Sequence, residues 1–479
     1  MEYLIRFAQV HESFRKPEIE SLAALVGTNT PFAIVKLQDE AVARAVVARS
    51  VLAKGIYEIW GQGQTYEDLH SDISKRTAAR WSDFKNKSFK FSVDSYAGKR
   101  SAEEKTQIIH SFAYMDFQGP IRMTDPDEEF CLFEEYPRRP VKPGEARPDP
   151  NVIYFGRWIA CGSRDVIDKY DLKKRNYIST TSMDAELTLV TANMALAAPG
   201  KVFFDPFVGT GSFCVAMAHF GTHALGSDID GRSFGGKERQ KGKSMGLVSN
   251  LEQYGIQQYF LDAFISDLTN TPVRTTQFLD GIICDPPYGV REGLKVLGSK
   301  DGKKKEPVLL NGVPSYRLGG YIAPKRPYSF DAMLDDILDF AARTLVPDGR
   351  ISLWMPTANE DDVELEIPSN PHLEILSVCV QPFGHCRLVN TYFSQGLAAY
   401  LHTVVFLAEK CPLLNHDDRG GTTLQNPNHP FKNSSDNNAT HNEVPEGGRI
   451  FDAHSRGLGN TLLPIDYYWI TKNQPMINL

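Results

Sequence analysis

Residues 282–288 read Ile-Ile-Cys-Asp-Pro-Pro-Tyr, an apolar run that stops on an acid, two prolines and an aromatic ring. Neither proline can donate to a β-ladder, so a buried strand must end there. The result is a stiff corner carrying one carboxylate, two carbonyls and a ring. Three other segments pair a strand-like run with an acid at its end. In DPFVGTGSF (205–213) Asp205 is followed by Gly209 and Gly211, which permit a tight turn against a ligand before a helix begins. No GK[ST] follows, so this is not a polyphosphate loop; a nucleotide-like ligand bearing an amine and a carboxylate suits the turn better. In ALGSDID (224–230) Asp228 is placed to accept from ribose hydroxyls, and Asp230 to cap the next turn. In FLDAF (260–264) Asp262 is expected to face an adenine amino group.

Long βα alternation from about residue 176 explains why such residues would converge. Strand patterns recur at KVFFDPF, THALGSD, QQYFLDA, FLDGIICD, RISLWMP, LEILSVCVQPF and HTVVFLAE, with helical stretches such as SFDAMLDDILDFAARTLVPDG between most of them. This is the pattern of a doubly wound, Rossmann-like α/β sheet, whose ligands sit at the carboxyl ends of the strands. The last two strands have little helix between them and suit an antiparallel edge pair. SMDAELTLVTANMALAAPG is a helix with Ser182 expected as N-cap, Asp184 and Glu186 in its first turns, and Pro199-Gly200 as its stop.

Upstream, EYLIRFA, PFAIVKL and GIYEIW alternate with two helical patterns, giving a small α+β unit. Between Lys75 and Arg100 stand eight Lys/Arg against two Asp, with Trp81, Phe84, Phe89, Phe91 and Tyr96 interleaved. Phosphate contacts beside stacking rings would use Lys85, Lys87, Lys90, Lys99 and Arg100. The competing reading is a solvated strand face over a core. The expected division is an N-terminal ferredoxin-like unit at 1–72, an RNA-binding unit at 73–165, a catalytic domain at 166–410 with a basic insert at 291–326, and an irregular tail at 411–479.

A formal net charge of -7 on 479 residues argues against general polycation behaviour, so any nucleic-acid surface must be local. No run of eighteen apolar residues occurs, so no membrane span is expected. The seven cysteines include no CxxC pair; Cys161, Cys214, Cys284 and Cys379 read as buried thiols, which suggests a cytoplasmic protein. His385 and Cys386 are adjacent but have no matching pair elsewhere, and no metal site is assigned.

Asp285-Pro286-Pro287-Tyr288 resembles the (Asp/Asn)-Pro-Pro-(Tyr/Phe) signature of S-adenosylmethionine-dependent methyltransferases that act on planar exocyclic amines. Such an amine is a poor nucleophile because its lone pair is delocalised into the ring. A carboxylate and a carbonyl that accept its two N–H bonds would bend the nitrogen toward tetrahedral geometry, and Tyr288 would stack on the base. The longer stretch NYISTTSMDAELTLVTANMALAAPGKVFFDPFVGTGSF, through to CDPPYG, is similar to the eukaryotic tRNA guanine-N2 methyltransferases with an N-terminal THUMP domain. KSFKFSVDSYAGKRSAEEK, FQGPI and YFGRWIA resemble the THUMP part, and the likeness spans roughly residues 1–410.

The resemblance implies S-adenosylmethionine as cofactor, tRNA as substrate, and N2-methylguanosine at nucleotide 10 as product. It also implies a small zinc-binding activator subunit as partner. By position, Asp205, Phe207, Gly209 and Gly211 would line the methionine moiety, with Thr181, Ser182 and Asp184 beside it. Asp228 would hold the ribose, Asp262 the adenine edge, and Asp285, Pro286, Pro287 and Tyr288 the guanine. Lys303, Lys304 and Lys305 read as a flexible charged loop or as an approach to the tRNA backbone. Adenine-N6 methylation of RNA or DNA is the alternative reaction, and a non-catalytic tRNA-binding scaffold the alternative class. The match around SMDAEL favours guanine, and intact acids at all four strand ends favour an enzyme.

Overall fold

The computed structural model describes residues 1–23, 25–29, 31–139, 147–239, 243–287, 294–298, 309–318, 321, 324–358, 368–382 and 401–410. The N-terminal part runs β1 (Glu2–Phe7), α1 (Glu12–Leu22), β2 (Leu25–Asn29), β3 (Phe32–Lys36), α2 (Glu40–Arg49), β4 (Ala53–Gly63), α3 (Tyr66–Thr77), β5 (Phe89–Tyr96), α4 (Ala102–His110), β6 (Glu128–Glu135) and β7 (Val152–Cys161). The seven strands form one sheet in the order β2-β3-β1-β4-β7-β6-β5. Because β4 and β7 pair directly, the strands on either side of residue 72 share a single sheet. Helix starts follow local chemistry: Asp39 caps α2 through the Val42 N–H, and Ser101 with Glu104 forms a capping box on α4.

The catalytic part continues with α5 (Asp165–Lys169), α6 (Ala185–Met194), β8 (Val202–Asp205), α7 (Ser212–His219), β9 (His223–Asp228), α8 (Arg232–Gly235), β10 (Lys237–Arg239), β11 (Lys243–Met245), α9 (Leu247–Tyr254), β12 (Phe260–Ile265) and β13 (Leu279–Cys284). After it come β14 (Lys295–Leu297), β15 (Leu309–Leu310), β16 (Val313–Pro314), β17 (Lys325–Pro327), α10 (Phe330–Thr344), β18 (Leu345–Ala358), β19 (Leu373–Pro382) and β20 (Leu401–Lys410). The main sheet has the order β12-β9-β8-β13-β18-β20-β19. Its first five strands are parallel; β20 runs antiparallel between β18 and β19, so the expected edge pair is present.

Alternation along the strands feeds two cores. Phe203 and Ile283 pack with α6 and α7 on one face, while Phe204, Ile282 and Cys284 pack with α10 on the other. Burial on both faces is why these strands read as continuous apolar runs.

Helix α1 joins the two parts. Its Glu18 is fully buried and accepts from Ser50 Oγ (2.8 Å), the Val51 N–H (2.8 Å), the Leu52 N–H (3.1 Å) and Asn193 Nδ2 of α6 (2.9 Å). Ser13 donates to the Val380 carbonyl (2.6 Å) and accepts from its N–H (3.1 Å) on β19. A buried carboxylate with four donors tolerates little displacement, so the N-terminal sheet is held to the catalytic sheet.

Candidate active site

Strand order reverses between β8 and β13, which pair through Gly281↔Phe203 and Ile282↔Phe204. The chain leaves β8 toward β9 and β12 but leaves β13 toward β18, so a crevice opens at their carboxyl ends. Asp205 ends β8 and Asp285 follows β13; the two acidic corners of the sequence therefore meet at this switch point.

Asp205 is 1% exposed and accepts from the Phe207 N–H at 2.9 Å. Burial pushes its carboxyl well up from the usual range, and the charges of Asp228 and Asp285 push it the same way. The glycine turn is tied to β9: the Val208 N–H donates to the Ser227 carbonyl (2.8 Å), and the Gly209 N–H to Asp228 Oδ2 (3.1 Å). The other oxygen of Asp228 accepts from the Asp230 N–H at 2.9 Å, and burial raises its carboxyl too. Asp230 caps the following turn through the Arg232 N–H (3.1 Å).

Gly211 has φ +81, and a Cβ there would come within 2.3 Å of Leu247 Cδ1. Asp228 and Asp285 are close enough to Asp205 for their charges to act on it, beside a turn whose Gly211 admits no Cβ without displacing Leu247, an acidic setting suited to a ligand with cationic and hydroxyl donors.

Ser182 reaches this turn through a 2.7 Å bond between its Oγ and Thr210 Oγ1. It does not cap α6 as expected; Asp184 does, accepting from the Glu186 and Leu187 N–H groups. Thr181 bonds Ser179 rather than the turn. Pro286 is buried, Asp285 half-buried and Pro287 exposed. Tyr288, Lys303, Lys304, Lys305, His385 and Cys386 lie outside the described residues.

Asp262 requires correction. The strand was expected at 257–263, but Gln257–Tyr259 form a short 3-10 turn and β12 extends to Ile265. Asp262 pairs in register with Leu225, exposed on the open edge, and its carboxylate accepts from the adjacent Ala263 N–H. At the strand's carboxyl end stands the buried Asp267, which accepts from the Leu297 N–H of β14 (2.6 Å) and from Thr269.

The basic band also differs from the expectation. β5 lies parallel to β6, whose acids line up with it: Phe89↔Glu128, Lys90↔Glu129, Ser95↔Glu134. Lys85 pairs with Asp116 (2.7 Å), Lys87 with Glu128 (2.7 Å) and Lys90 with Glu129 (3.0 Å). Arg100 is bound to the fully buried Glu134 at 2.7 Å, which keeps its guanidinium firmly charged. Lys99 is exposed, and no carboxylate lies within salt-bridge reach of it among the described residues. Phe84, Phe89 and Phe91 pack with Trp60, Phe130 and Phe155, so these rings are core and not a stacking surface. Cys161 is exposed, unlike Cys214, Cys284 and Cys379, which are buried as expected.

Sequence reading missed Arg175. It is 6% exposed, donating to Ser212 Oγ (3.0 Å) and the Tyr170 carbonyl (3.3 Å). Nothing local to RNYIST marks it, because its partners belong to other segments. Among the described residues, no group of His, Cys, Asp and Glu is placed to hold a metal ion, and no helix is long and apolar enough to cross a membrane.

Residues 1–164 match the family model described as the Tmrp11 THUMP N-terminal domain, and residues 173–299 match the RMKL-like methyltransferase domain. A tRNA (guanine(10)-N(2))-methyltransferase of Saccharomyces cerevisiae is 40% identical over 451 residues, covering 91% of this chain and 97% of the yeast protein. The protein of that name from Schizosaccharomyces pombe is 42% identical over 359 residues, 75% of this chain and 72% of its own length. The Homo sapiens tRNA (guanine(10)-N(2))-methyltransferase TRMT11 is 34% identical over 398 residues, 79% of this chain and 84% of its own.

Proposed function

The chain belongs to the tRNA (guanine(10)-N(2))-methyltransferase family, and from that premise we propose how its own residues perform the reaction. It is an S-adenosylmethionine-dependent enzyme that methylates N2 of guanine 10 in tRNA, with a THUMP N-terminal domain and a Rossmann-like methyltransferase domain. Its relatives share the guanine reaction, which sets aside adenine-N6 methylation and the scaffold reading.

The crevice fits the cofactor on two counts: a turn where a Cβ at Gly211 would strike Leu247, and buried acids suited to an amine and to ribose hydroxyls. Asp205 and the 207–211 turn would hold the methionine end, with Ser182 supporting the turn through Thr210. Asp228, braced by the Gly209 and Asp230 N–H groups, would hold the ribose. When bound, S-adenosylmethionine supplies an electrophilic methyl group on its sulfonium.

Asp285 and the Pro286 carbonyl accept the two N–H bonds of the guanine amine, which turns its lone pair out of conjugation. The Asp285 carboxylate then takes the proton that the nitrogen sheds. Pro286 and Pro287 keep the corner from relaxing, and preorganised acceptors of this kind typically contribute roughly 10²–10³ in rate. The single observation that carries this reading is the meeting of the Asp205 and Asp285 corners at the β8/β13 switch point.

The reading further includes a small zinc-binding activator subunit and a cytoplasmic location. Support for the subunit comes from the resemblance of residues 1–410 to a family that works with one. Among the described residues no strand pairs with the outer edge of β12, which carries two exposed apolar side chains, Leu261 and Ile265, where a partner strand could add. Free thiols at Cys131, Cys161, Cys214, Cys284 and Cys379 agree with a reducing compartment. The test is incubation of purified protein, alone and with the candidate subunit, with labelled cofactor and bulk tRNA, followed by mapping of the modified nucleotide. Label at any site other than N2 of nucleotide 10 refutes the assignment.

A further inference from the structure

Arg175 is a buried cation for which the described residues supply no counter-ion. Its Nη1 donates to the hydroxyl of Ser212, the first residue of α7, and its Nη2 to the Tyr170 carbonyl; Nε is buried with no partner. Among the described residues its contacts are a hydroxyl and a carbonyl, and no ion pair joins it to a carboxylate. The contrast inside the same chain is sharp. Arg157 is held by Glu40, Glu58 and Glu128, and Arg100 by Glu134 and Glu104. Leaving an ionised side chain buried and unpaired is costly, and proteins resolve it with a partner.

Its location says which partner. Ser212 follows Gly211, whose positive φ ends the ligand-facing turn, so the guanidinium sits at the amino terminus of α7. The unsatisfied N–H groups of that first turn and the helix dipole favour an anion at the same place. Asp205 and Asp228 supply only acceptors to the crevice, which suits the amine and the ribose of the cofactor but leaves its carboxylate without a donor. A guanidinium is the side chain best shaped to grip a carboxylate.

We propose that Arg175, together with the first turn of α7, binds the carboxylate of the cofactor's methionine moiety, and that this contact supplies a counter-charge absent among the described residues. The proposal rests on the cofactor site described above and adds to it one residue outside the glycine turn and the strand-end acids. Arg175 thereby distinguishes amino-acid-bearing adenosines from adenosines without a carboxylate.

The test is calorimetry on the full chain with two probes: S-adenosylhomocysteine, and its decarboxylated analogue, which keeps the amine and the adenosine. Wild type is expected to prefer the carboxylate form by at least roughly tenfold, the worth of a charge-assisted pair. Arg175→Gln should weaken S-adenosylhomocysteine roughly 10- to 100-fold and leave the analogue within about twofold. Arg175→Lys, which keeps a charge but loses the fork, should fall between them. Equal weakening of both probes means that the arginine only braces the fold, and overturns the proposal; so does no weakening of either. Should Arg175→Gln not fold, the wild-type comparison still decides, because a preference below about threefold leaves no carboxylate clamp to explain. Asp228→Ala separates the two levels of the reading. It should weaken both probes alike, and if it weakens neither, the cofactor site itself is misassigned whatever Arg175 does.

Discussion

Replacing Gly211 with alanine tests the turn on which the cofactor site is built. Gly211 stands at φ +81 and ψ 29, a left-handed conformation that costs a residue with a Cβ roughly 1–2 kcal/mol. The new Cβ would also lie 2.3 Å from Leu247 Cδ1 and 2.5 Å from its Cγ, well inside van der Waals contact. Leu247 is 1% exposed at the start of α9 and packs in the core with Val208 and Phe213, so it cannot swing into solvent. Overpacking of that kind costs about 1–3 kcal/mol, giving a total of about 2–5 kcal/mol for Gly211→Ala.

Gly209 is the internal control. Its φ is also positive, at +48, but the nearest atom to a Cβ is the Phe207 carbonyl oxygen at 3.8 Å. Gly209→Ala should therefore cost only the conformational part, about 1–2 kcal/mol. Denaturant unfolding monitored at the catalytic domain, with hydrogen exchange of the α7 amides, measures both. Combining Gly211→Ala with Leu247→Ala should recover about 1–3 kcal/mol relative to the sum of the single changes, because the methyl group then fills space that the leucine has vacated. Equal costs at the two glycines, or strict additivity with Leu247→Ala, would refute the packing argument.

Asp285→Ala should retain S-adenosylhomocysteine and tRNA binding yet lose turnover by roughly 10²-fold or more in single-turnover assays; undiminished methylation would place the amine elsewhere. Asp205 has its carboxyl raised, so the folded state holds a proton more tightly than the unfolded chain. Its ionisation therefore opposes folding: stability is highest below the ordinary carboxylate range and declines as pH rises toward the folded value. In melts without ligand, Asp205→Asn should gain on wild type as pH rises above the ordinary carboxylate range, while binding the cofactor less well; a loss of stability that is the same at every pH would contradict this. Arg100→Gln strands the fully buried Glu134 and should cost about 3–5 kcal/mol in denaturant titrations. Lys99→Gln should change stability by less than about 0.5 kcal/mol yet lower the salt slope of tRNA binding by roughly one; an unchanged slope removes Lys99 from the RNA interface.

What the chain reveals on its own is whatever its chemistry settles within a few residues. Apolar strands that stop on Asp205 and Asp285, prolines that end a ladder, and glycines that allow a turn are all local, and both corners stand where their sequences indicate. The meeting of those corners follows from βα alternation, since a doubly wound sheet presents its loops at one edge.

Other features depend on partners distant in the chain. The start of β12 is set by pairing with β9, and a shift of a few residues moved the strand-end acid from Asp262 to Asp267. The basic residues around β5, Lys87, Lys90 and Arg100, meet their acids only because β6, some 39 positions onward, lays Glu128, Glu129 and Glu134 beside them. Arg175 reads as one more surface cation next to Lys173 and Lys174, and only the packing of α7 buries it. Turns and caps are enforced by covalent neighbours, whereas charge compensation, register and desolvation are decided by whichever segments the fold brings alongside.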